Sequence, residues 1–257
     1  MSIFNAYSDY YDLLYSDKDY DSEALYIHKL IKKNNKNASS ILNLGCGTGN
    51  HDFYFAKNGY NITGIDLSES NIKKAKTKLS KLNEKDYSLN FVNGDIRNIR
   101  LNKTYDVVIS LFHVMSYQIS NEDVKDVLST AKAHLNDNGI MIFDLWYGPA
   151  VLTDRPTIRI KHIENENLSI RRIAEPEIFP NKNIVNVNYF IIIKDKSNNK
   201  IKEISETHKM RYFFKTEIDE FINQANFNLI SFTEWMNKKT PGFDTWNVCV
   251  VLSNKNN

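Results

Sequence analysis

The stretch Ser39 to Leu44 (SSILNL) is an apolar run that ends on Gly45-Cys46-Gly47-Thr48-Gly49. Alternate glycines directly after a strand make a turn whose backbone a ligand can approach, because no Cβ stands in the way. His51 to Asn58 then reads as a helix that packs Phe53, Phe55 and Ala56 on or near a sheet, and Asn61 to Leu67 (NITGIDL) is a second apolar run. Strand, glycine turn, helix, strand is a βαβ unit, and it demands a parallel pair.

The alternation continues through a helix from about Ser70 to Leu82, strands at Leu89 to Asn93 and Tyr105 to Ser110, a helix over Asn121 to Leu135, and a strand at Ile140 to Leu145 after an Asn138-Gly139 turn. Val107-Val108-Ile109 and Ile140-Met141-Ile142-Phe143 are apolar on both faces, as strands covered by helices on both sides should be. After Pro149 the texture changes. Ile184 to Lys194 alternates, with Val185, Val187, Tyr189, Ile191 and Ile193 on one face. With Thr157 to Ile163, Leu168 to Ala174 and Ile201 to Phe213 it predicts a small antiparallel sheet over the carboxyl ends of the parallel strands. Lys215 to Ala225 returns to a helical period, and strands at Phe227 to Trp235 and Thr245 to Leu252 flank Pro241-Gly242, predicting an antiparallel strand at one sheet edge.

The expected fold is therefore α/β, a doubly wound, mostly parallel, seven-stranded, Rossmann-like sheet with an inserted antiparallel β-sheet. Residues 1–150 and 212–257 are assigned to the first unit, and 151–211 to an inserted subdomain that covers substrate or mediates oligomerisation.

A chain of 257 residues with 42% hydrophobic content can bury a sizeable core. The formal charge of +2 provides no long-range basic field, so nucleic acid is not an expected partner. Cys46 and Cys249 lack zinc-site spacing, and His28, His51, His134 and His162 are scattered, so no metal site is expected. Met1 to Tyr7 shows no basic leader, and no run approaches the roughly 20 apolar residues of a membrane span. A cytoplasmic protein is the expectation.

A dinucleotide site spaces its last two glycines as G-x-x-G above a pyrophosphate, whereas the spacing here is G-x-G-x-G, which favours a phosphate-free nucleoside ligand. Asp66, at the end of the second strand, can accept hydrogen bonds from ribose hydroxyls, and Asp95, after the third, can accept from an adenine amino group while Ile96 packs on the ring. With Leu42 to Gly49, Ile65-Asp66 and Gly94-Asp95-Ile96, the chain resembles the class I S-adenosylmethionine-dependent methyltransferases over nearly its whole length. The resemblance implies S-adenosyl-L-methionine as cofactor, held by Tyr11, Gly45, Cys46, Gly47, Gly49, Asp66, Leu67, Asp95, Ile96 and Leu111.

Tyr11-Asp12-Leu13-Leu14-Tyr15, Lys18-Asp19-Tyr20, Phe112 to Tyr117, Trp146-Tyr147 and Glu206 to Arg211 are similar to the nucleotide-sugar N-methyltransferases that finish dimethylamino deoxysugars. That resemblance implies a leading tyrosine segment folded over the cofactor and a segment after the fourth strand facing the methyl group. This chain departs from the family in carrying His113-Val114-Met115 in place of small residues, and Phe243-Asp244-Thr245-Trp246 in place of a Gly-Arg-Gly. Methyl transfer is an in-line displacement with the leaving group already supplied, so alignment does most of the work.

His113 is the candidate base, by its near-neutral reference pKa, with Tyr15 or Tyr117 orienting the acceptor. Phe112, Trp146, Tyr147, His208 and Arg211 are the expected substrate contacts, with Arg211, Lys209 and His208 placed to hold an acceptor phosphate. The expected acceptor is a small molecule, a nucleotide-linked sugar or another phosphorylated precursor, methylated on nitrogen or oxygen. The hairpin Ile184 to Arg211 makes a homodimer plausible. Two other readings stand beside this one: methylation of nucleic acid or protein, against which the absence of an Asn-Pro-Pro-Tyr turn counts, and a non-catalytic S-adenosylmethionine sensor, which fold alone does not exclude.

Overall fold

The computed structural model describes residues 5–82 and 88–254, so Met1 to Phe4, part of the stretch read for a leader, lie outside the described residues. The chain opens with two helices, α1 (Asn5–Leu14) and α2 (Tyr20–Asn34). Then come β1 (Ser40–Leu44), α3 (Asn50–Lys57), β2 (Asn61–Asp66), α4 (Glu69–Ser80), β3 (Leu89–Asn93), β4 (Tyr105–Ser110), α5 (Asn121–Ala133) and β5 (Leu135–Tyr147). A short α6 (Gly148–Thr153) leads into β6 (Arg159–Glu164), β7 (Leu168–Phe179), β8 (Ile184–Asp195) and β9 (Ile201–Phe213), and the chain closes with α7 (Lys215–Gln224), β10 (Phe227–Glu234) and β11 (Asn247–Asn254).

Local chemistry sets the helix starts. The side chains of Asp19 and Ser68 accept from the amides of Ser22 and Asn71, and Ser120 forms a reciprocal capping box with Asp123.

The strands β3-β2-β1-β4-β5 pair in parallel in that order, and β11 continues the sheet antiparallel to β5 with β10 beyond it. The expected antiparallel strand is thus present, but it lies inside the sheet and not at its edge. The reason is burial: Val248 to Leu252 are all fully buried, whereas β10 alternates and tolerates an edge. Asn138-Gly139 also differs from expectation. It sits within β5, where the pairing shifts from Tyr105↔Leu135 to Val107↔Ile140, so the turn residues form a bulge.

Helices cover both faces. Ile27 and Ile31 of α2 and Phe55 of α3 pack with Ile41, Val107, Ile142 and Val251, while Val127 of α5 and Phe221 of α7 pack with Leu42, Val108, Phe143 and Val250. The second sheet, β6-β7-β8-β9, is antiparallel throughout. It joins the first where β5 outruns β4: β4 pairs as far as Phe143, and β9 takes over the edge at Trp146↔Tyr212 and Tyr147↔Phe213. That junction sets the second sheet beside the carboxyl ends of the parallel strands. No helix among the described residues is long and apolar enough to cross a membrane.

Phe143 lies in the middle of β5 and is essentially inaccessible to solvent. Phe143→Ala leaves a cavity between β5 and the helices over it, and is expected to cost about 3–5 kcal/mol, measured as a lower urea midpoint at unchanged slope.

Candidate active site

The glycine turn has the backbone its sequence demands. Gly45, Gly47 and Gly49 have φ of +86°, +57° and +83°, in the left-handed region that residues with a Cβ avoid. The turn is tied to β2 because the Ile65 carbonyl accepts from the amides of both Gly45 and Cys46, at 2.8 Å each. A Cβ on Gly45 would strike Val114 and one on Gly49 would strike Phe91, both at 2.6 Å, whereas a Cβ on Gly47 meets no atom within 4 Å. Gly47 therefore faces open space from which a ligand can approach.

Asp66 sits under this turn. One oxygen accepts from Gly47 N at 2.9 Å and the other from Ser68 N at 2.9 Å and Asn71 Nδ2 at 3.2 Å. Burial pushes its carboxyl above the ordinary value against the pull of these donors. Leu67 next to it is 51% exposed, an apolar side chain at the strand end. Asp95, at the end of the neighbouring strand, is gripped by the Arg97 guanidinium through both oxygens, which holds its carboxyl below the ordinary range. Ile96 and Leu111 are buried, and the Cys46 side chain packs with Ile72, Ala75 and Phe91 while its thiol donates to the Gly47 carbonyl at 3.6 Å.

The leading segment folds onto the turn through Asp12. Its carboxylate accepts from Thr48 Oγ1 at 2.6 Å and pairs with Lys78 Nζ at 2.8 Å, and Lys78 also donates to Thr48 Oγ1 and Asn50 Oδ1. Asp12, Tyr15, Ser16, Tyr20, Asn50 and Lys78 line a cavity of about 340 Å³. At the other end of the segment, the Tyr15 ring lies 4.8 Å from Tyr11 and 5.1 Å, edge-on, from Phe112.

Past β4 the chain turns sharply. Phe112 and His113 both adopt left-handed φ, +66° and +64°. Asp144, a buried carboxylate in β5, holds that turn by accepting from His113 N at 3.1 Å, and its Oδ2 lies 2.7 Å from His113 Nδ1. The His113 ring lies 5.4 Å from Phe112 and 6.2 Å from Trp146, which stacks edge-on against Trp246. Tyr117 donates to or accepts from His208 Nδ1 at 2.8 Å, and His208 Nε2 lies 3.3 Å from Glu206 Oε2. Tyr189 packs 4.9 Å from the His208 ring, and Arg172 sits over Tyr189 and donates to Tyr15 Oη at 3.2 Å.

Three expected substrate contacts are corrected by strand alternation. Trp146 faces this aromatic cluster, but Tyr147, its neighbour in β5, points to the opposite side and packs on Phe232 at 5.6 Å. Likewise His208 faces Tyr117, while Lys209 and Arg211 point to the other face of β9. Lys209 is exposed, and Arg211 is buried between Glu217, with which it forms an ion pair, and Asn121 Oδ1 at 2.7 Å. The expected phosphate grip by His208, Lys209 and Arg211 does not assemble. Basic side chains do gather elsewhere: Lys18 lies 4.2 Å from the Phe112 ring, and Lys161 and Arg172 lie 5.7 and 5.6 Å from the Tyr15 ring.

Sequence reading missed Asp12, Lys78, Asp144 and Arg172. Asp144 carried a signal, an acid inside the otherwise apolar run Ile140 to Leu145. Nothing in the local sequence marks Asp12, Lys78 or Arg172 as meeting at one site, and only the fold brings them in. Among the described residues no group of His, Cys, Asp and Glu could hold a metal ion.

Residues 41–139 match the methyltransferase domain family. Strand order and glycine turn give the chain the class I methyltransferase fold, and this match, with the methyltransferase relatives it resembles, makes S-adenosylmethionine-dependent methyl transfer its activity. Its similarities within that class run to sugar N-methyltransferases. It is 25% identical over 221 residues to the dTDP-3-amino-3,4,6-trideoxy-alpha-D-glucopyranose N,N-dimethyltransferase of Streptomyces venezuelae, covering 85% of this chain and 89% of the relative. The fold matches a S-adenosylmethionine-dependent methyltransferase from Clostridium acetobutylicum with a TM-score of 0.82 at 20% identity, over 97% of this chain and 99% of the other. It matches Streptomyces venezuelae DesVI with a TM-score of 0.80 at 22% identity, over 96% and 98%.

The open face of Gly47 and the acceptor-only carboxylate of Asp66 fit an adenosyl ligand. Gly47→Val and Asp66→Ala are each expected to weaken S-adenosylmethionine binding at least about tenfold by calorimetry, the scale of a lost charge-assisted hydrogen bond or a blocked approach, with the circular dichroism of the fold retained.

Beneath the turn lies Asp52, fully buried, with Oδ1 accepting from Asn43 Nδ2 at 2.7 Å and Oδ2 without a partner among the described residues. Burial pushes its carboxyl up to about 7. The folded protein therefore keeps this proton where the unfolded chain has released it, so stability falls as pH rises from the ordinary carboxylate range to about 7. Asp52→Asn removes that loss, and its urea midpoint should gain on the native protein at about pH 8 relative to about pH 4; a pH-independent difference would overturn the assignment.

Proposed function

We propose that this methyltransferase acts on the amino nitrogen of a deoxyaminosugar carried on a nucleoside diphosphate. The single observation that carries the reading is the aromatic cluster of Tyr15, Phe112, His113, Tyr117 and Trp146 near the glycine turn, bordered by Lys18, Lys161 and Arg172. Aromatic faces suit a sugar ring and a nearby sulfonium, and a guanidinium suits phosphate oxygens. The Streptomyces venezuelae relative named above, a dTDP-aminosugar N,N-dimethyltransferase by its name, supports it.

When bound, S-adenosylmethionine supplies an electrophilic methyl group on a good leaving group. Gly45, Cys46 and Gly47 present backbone, Asp66 accepts from the ribose hydroxyls, Leu67 and Ile96 pack on the adenine, Asp95 accepts from its amino group, and Leu111 closes the pocket. Tyr11 and the strap through Asp12 exclude water. Phe112 and Trp146 flank the sugar, Tyr15 and Tyr117 orient its amine, and His113, held by Asp144, lines the site beside them. Arg172 replaces Arg211 as the phosphate contact.

The test is S-adenosylhomocysteine release with dTDP-3-amino-3,4,6-trideoxyglucose, its hydroxyl analogue and simple phosphorylated metabolites, with product masses. Turnover of the amine is expected, and Arg172→Ala should raise KM for it about tenfold or more while kcat changes less. Tight cofactor binding with no turnover of any dTDP-amino sugar would overturn the acceptor assignment.

A further inference from the structure

Tyr117, His208 and Glu206 come from distant parts of the chain and meet under the second sheet. Tyr117 ends the 3-10 turn after the strained Phe112-His113 pair, and His208 and Glu206 are alternate residues on one face of β9. His208 and Glu206 are almost wholly withdrawn from solvent. The groups that face this ring are Tyr117 from the 3-10 turn, Tyr189 from β8, Arg172 from β7, Glu206 from β9 itself and, through Arg172, Tyr15 from the leading segment.

The order of protons along this chain follows from its ends. A carboxylate only accepts, so Glu206 requires the proton on His208 Nε2. Nδ1 of the neutral ring is then a lone pair, so Tyr117 must donate its O–H to it at 2.8 Å. The phenol oxygen of Tyr117 is thereby left as an acceptor only.

We infer that Glu206 and His208 are positioning residues that turn Tyr117 into a fixed hydrogen-bond acceptor for the acceptor amine, and that they form the route by which its proton leaves. This rests on the proposed amine acceptor. A methylated amine forms as an ammonium. Its N–H proton passes to the Tyr117 oxygen as the Tyr117 O–H proton passes to His208 Nδ1, giving an imidazolium that Glu206 balances. The nitrogen lone pair becomes the N–C bond as the methyl–sulfur pair leaves on the thioether product, the N–H pair stays on nitrogen as its new lone pair, and the neutral tertiary or secondary amine is released. The same polarity favours substrates that offer an N–H over a group that can only accept.

Two arms test the relay. The first needs no acceptor: ¹⁵N-imidazole spectra of the full-length protein should show His208 with Nε2 protonated and Nδ1 bare, and Tyr117→Phe should shift the Nδ1 signal. A proton on Nδ1, or a signal indifferent to Tyr117→Phe, would overturn the proposal even if the sugar reading stands. The second uses dTDP-3-amino-3,4,6-trideoxyglucose and rests on side-chain geometry. In His208→Asn an amide oxygen takes the place of Nδ1 and still accepts from Tyr117. In His208→Gln the amide takes the place of Nε2 and serves only Glu206. Neither amide can take a proton, so kcat should fall about tenfold or more in both variants at unchanged cofactor affinity, but His208→Asn, which still accepts from Tyr117 and holds it in place, should keep KM within about threefold while His208→Gln raises it by more. Native kcat in His208→Asn, or an equal rise of KM in both variants, would overturn the relay. If the native protein turns over no amino sugar, the acceptor reading fails, and the spectra still decide the hydrogen-bond order.

Discussion

The Ile65 carbonyl, accepting from Gly45 N and Cys46 N at 2.8 Å each, fixes the glycine turn to the end of β2, and the geometry of the site depends on that tie. It sets Asp66 under Gly47 and leaves Gly47 facing open space. Because β1 lies between β2 and β4, the turn also looks toward the Phe112-His113 corner, where Val114 packs on Gly45 so closely that no Cβ could intervene. The glycine turn and the Phe112-His113 corner thus share one rigid junction.

The second sheet reaches this junction by a simple device. β5 outruns β4, and the exposed strand edge is taken by β9. The leading segment then bridges both sheets. Leu14 is buried among Ile170, Ile191, Ile193 and Ile204 of the antiparallel sheet, while Asp12 two residues earlier binds Thr48 and Lys78 at the glycine turn. Apolar burial anchors one end of the segment, and a charge-assisted contact aligns the other.

Consecutive left-handed residues with side chains cost of order 1–3 kcal/mol each, and the strain at Phe112 and His113 is held by Asp144 from the adjacent strand. A carboxylate inside an apolar strand is itself expensive unless bonded. The two unfavourable choices satisfy one another, at the corner where the aromatic pocket begins.

The parallel sheet, its glycine turn and Asp66 were legible in sequence because they depend on local rules: apolar runs, alternate glycines requiring positive φ, and an acid at a strand end. The antiparallel hairpin was legible by its alternation. What sequence could not give was which side of a strand faced the pocket once two sheets were joined. Tyr147, Lys209 and Arg211 read like site residues beside Trp146 and His208, yet a period of two sends adjacent residues to opposite faces. The place of β11 inside the sheet, the strap through Asp12, and the meeting of Tyr117 with His208 and Glu206 join residues far apart in the chain and were decided by tertiary packing alone. Sequence determined the fold class and the glycine turn, since these rest on each residue's own conformational limits; the aromatic cluster beside it rests on which distant side chains are brought together, and only the folded chain decides that.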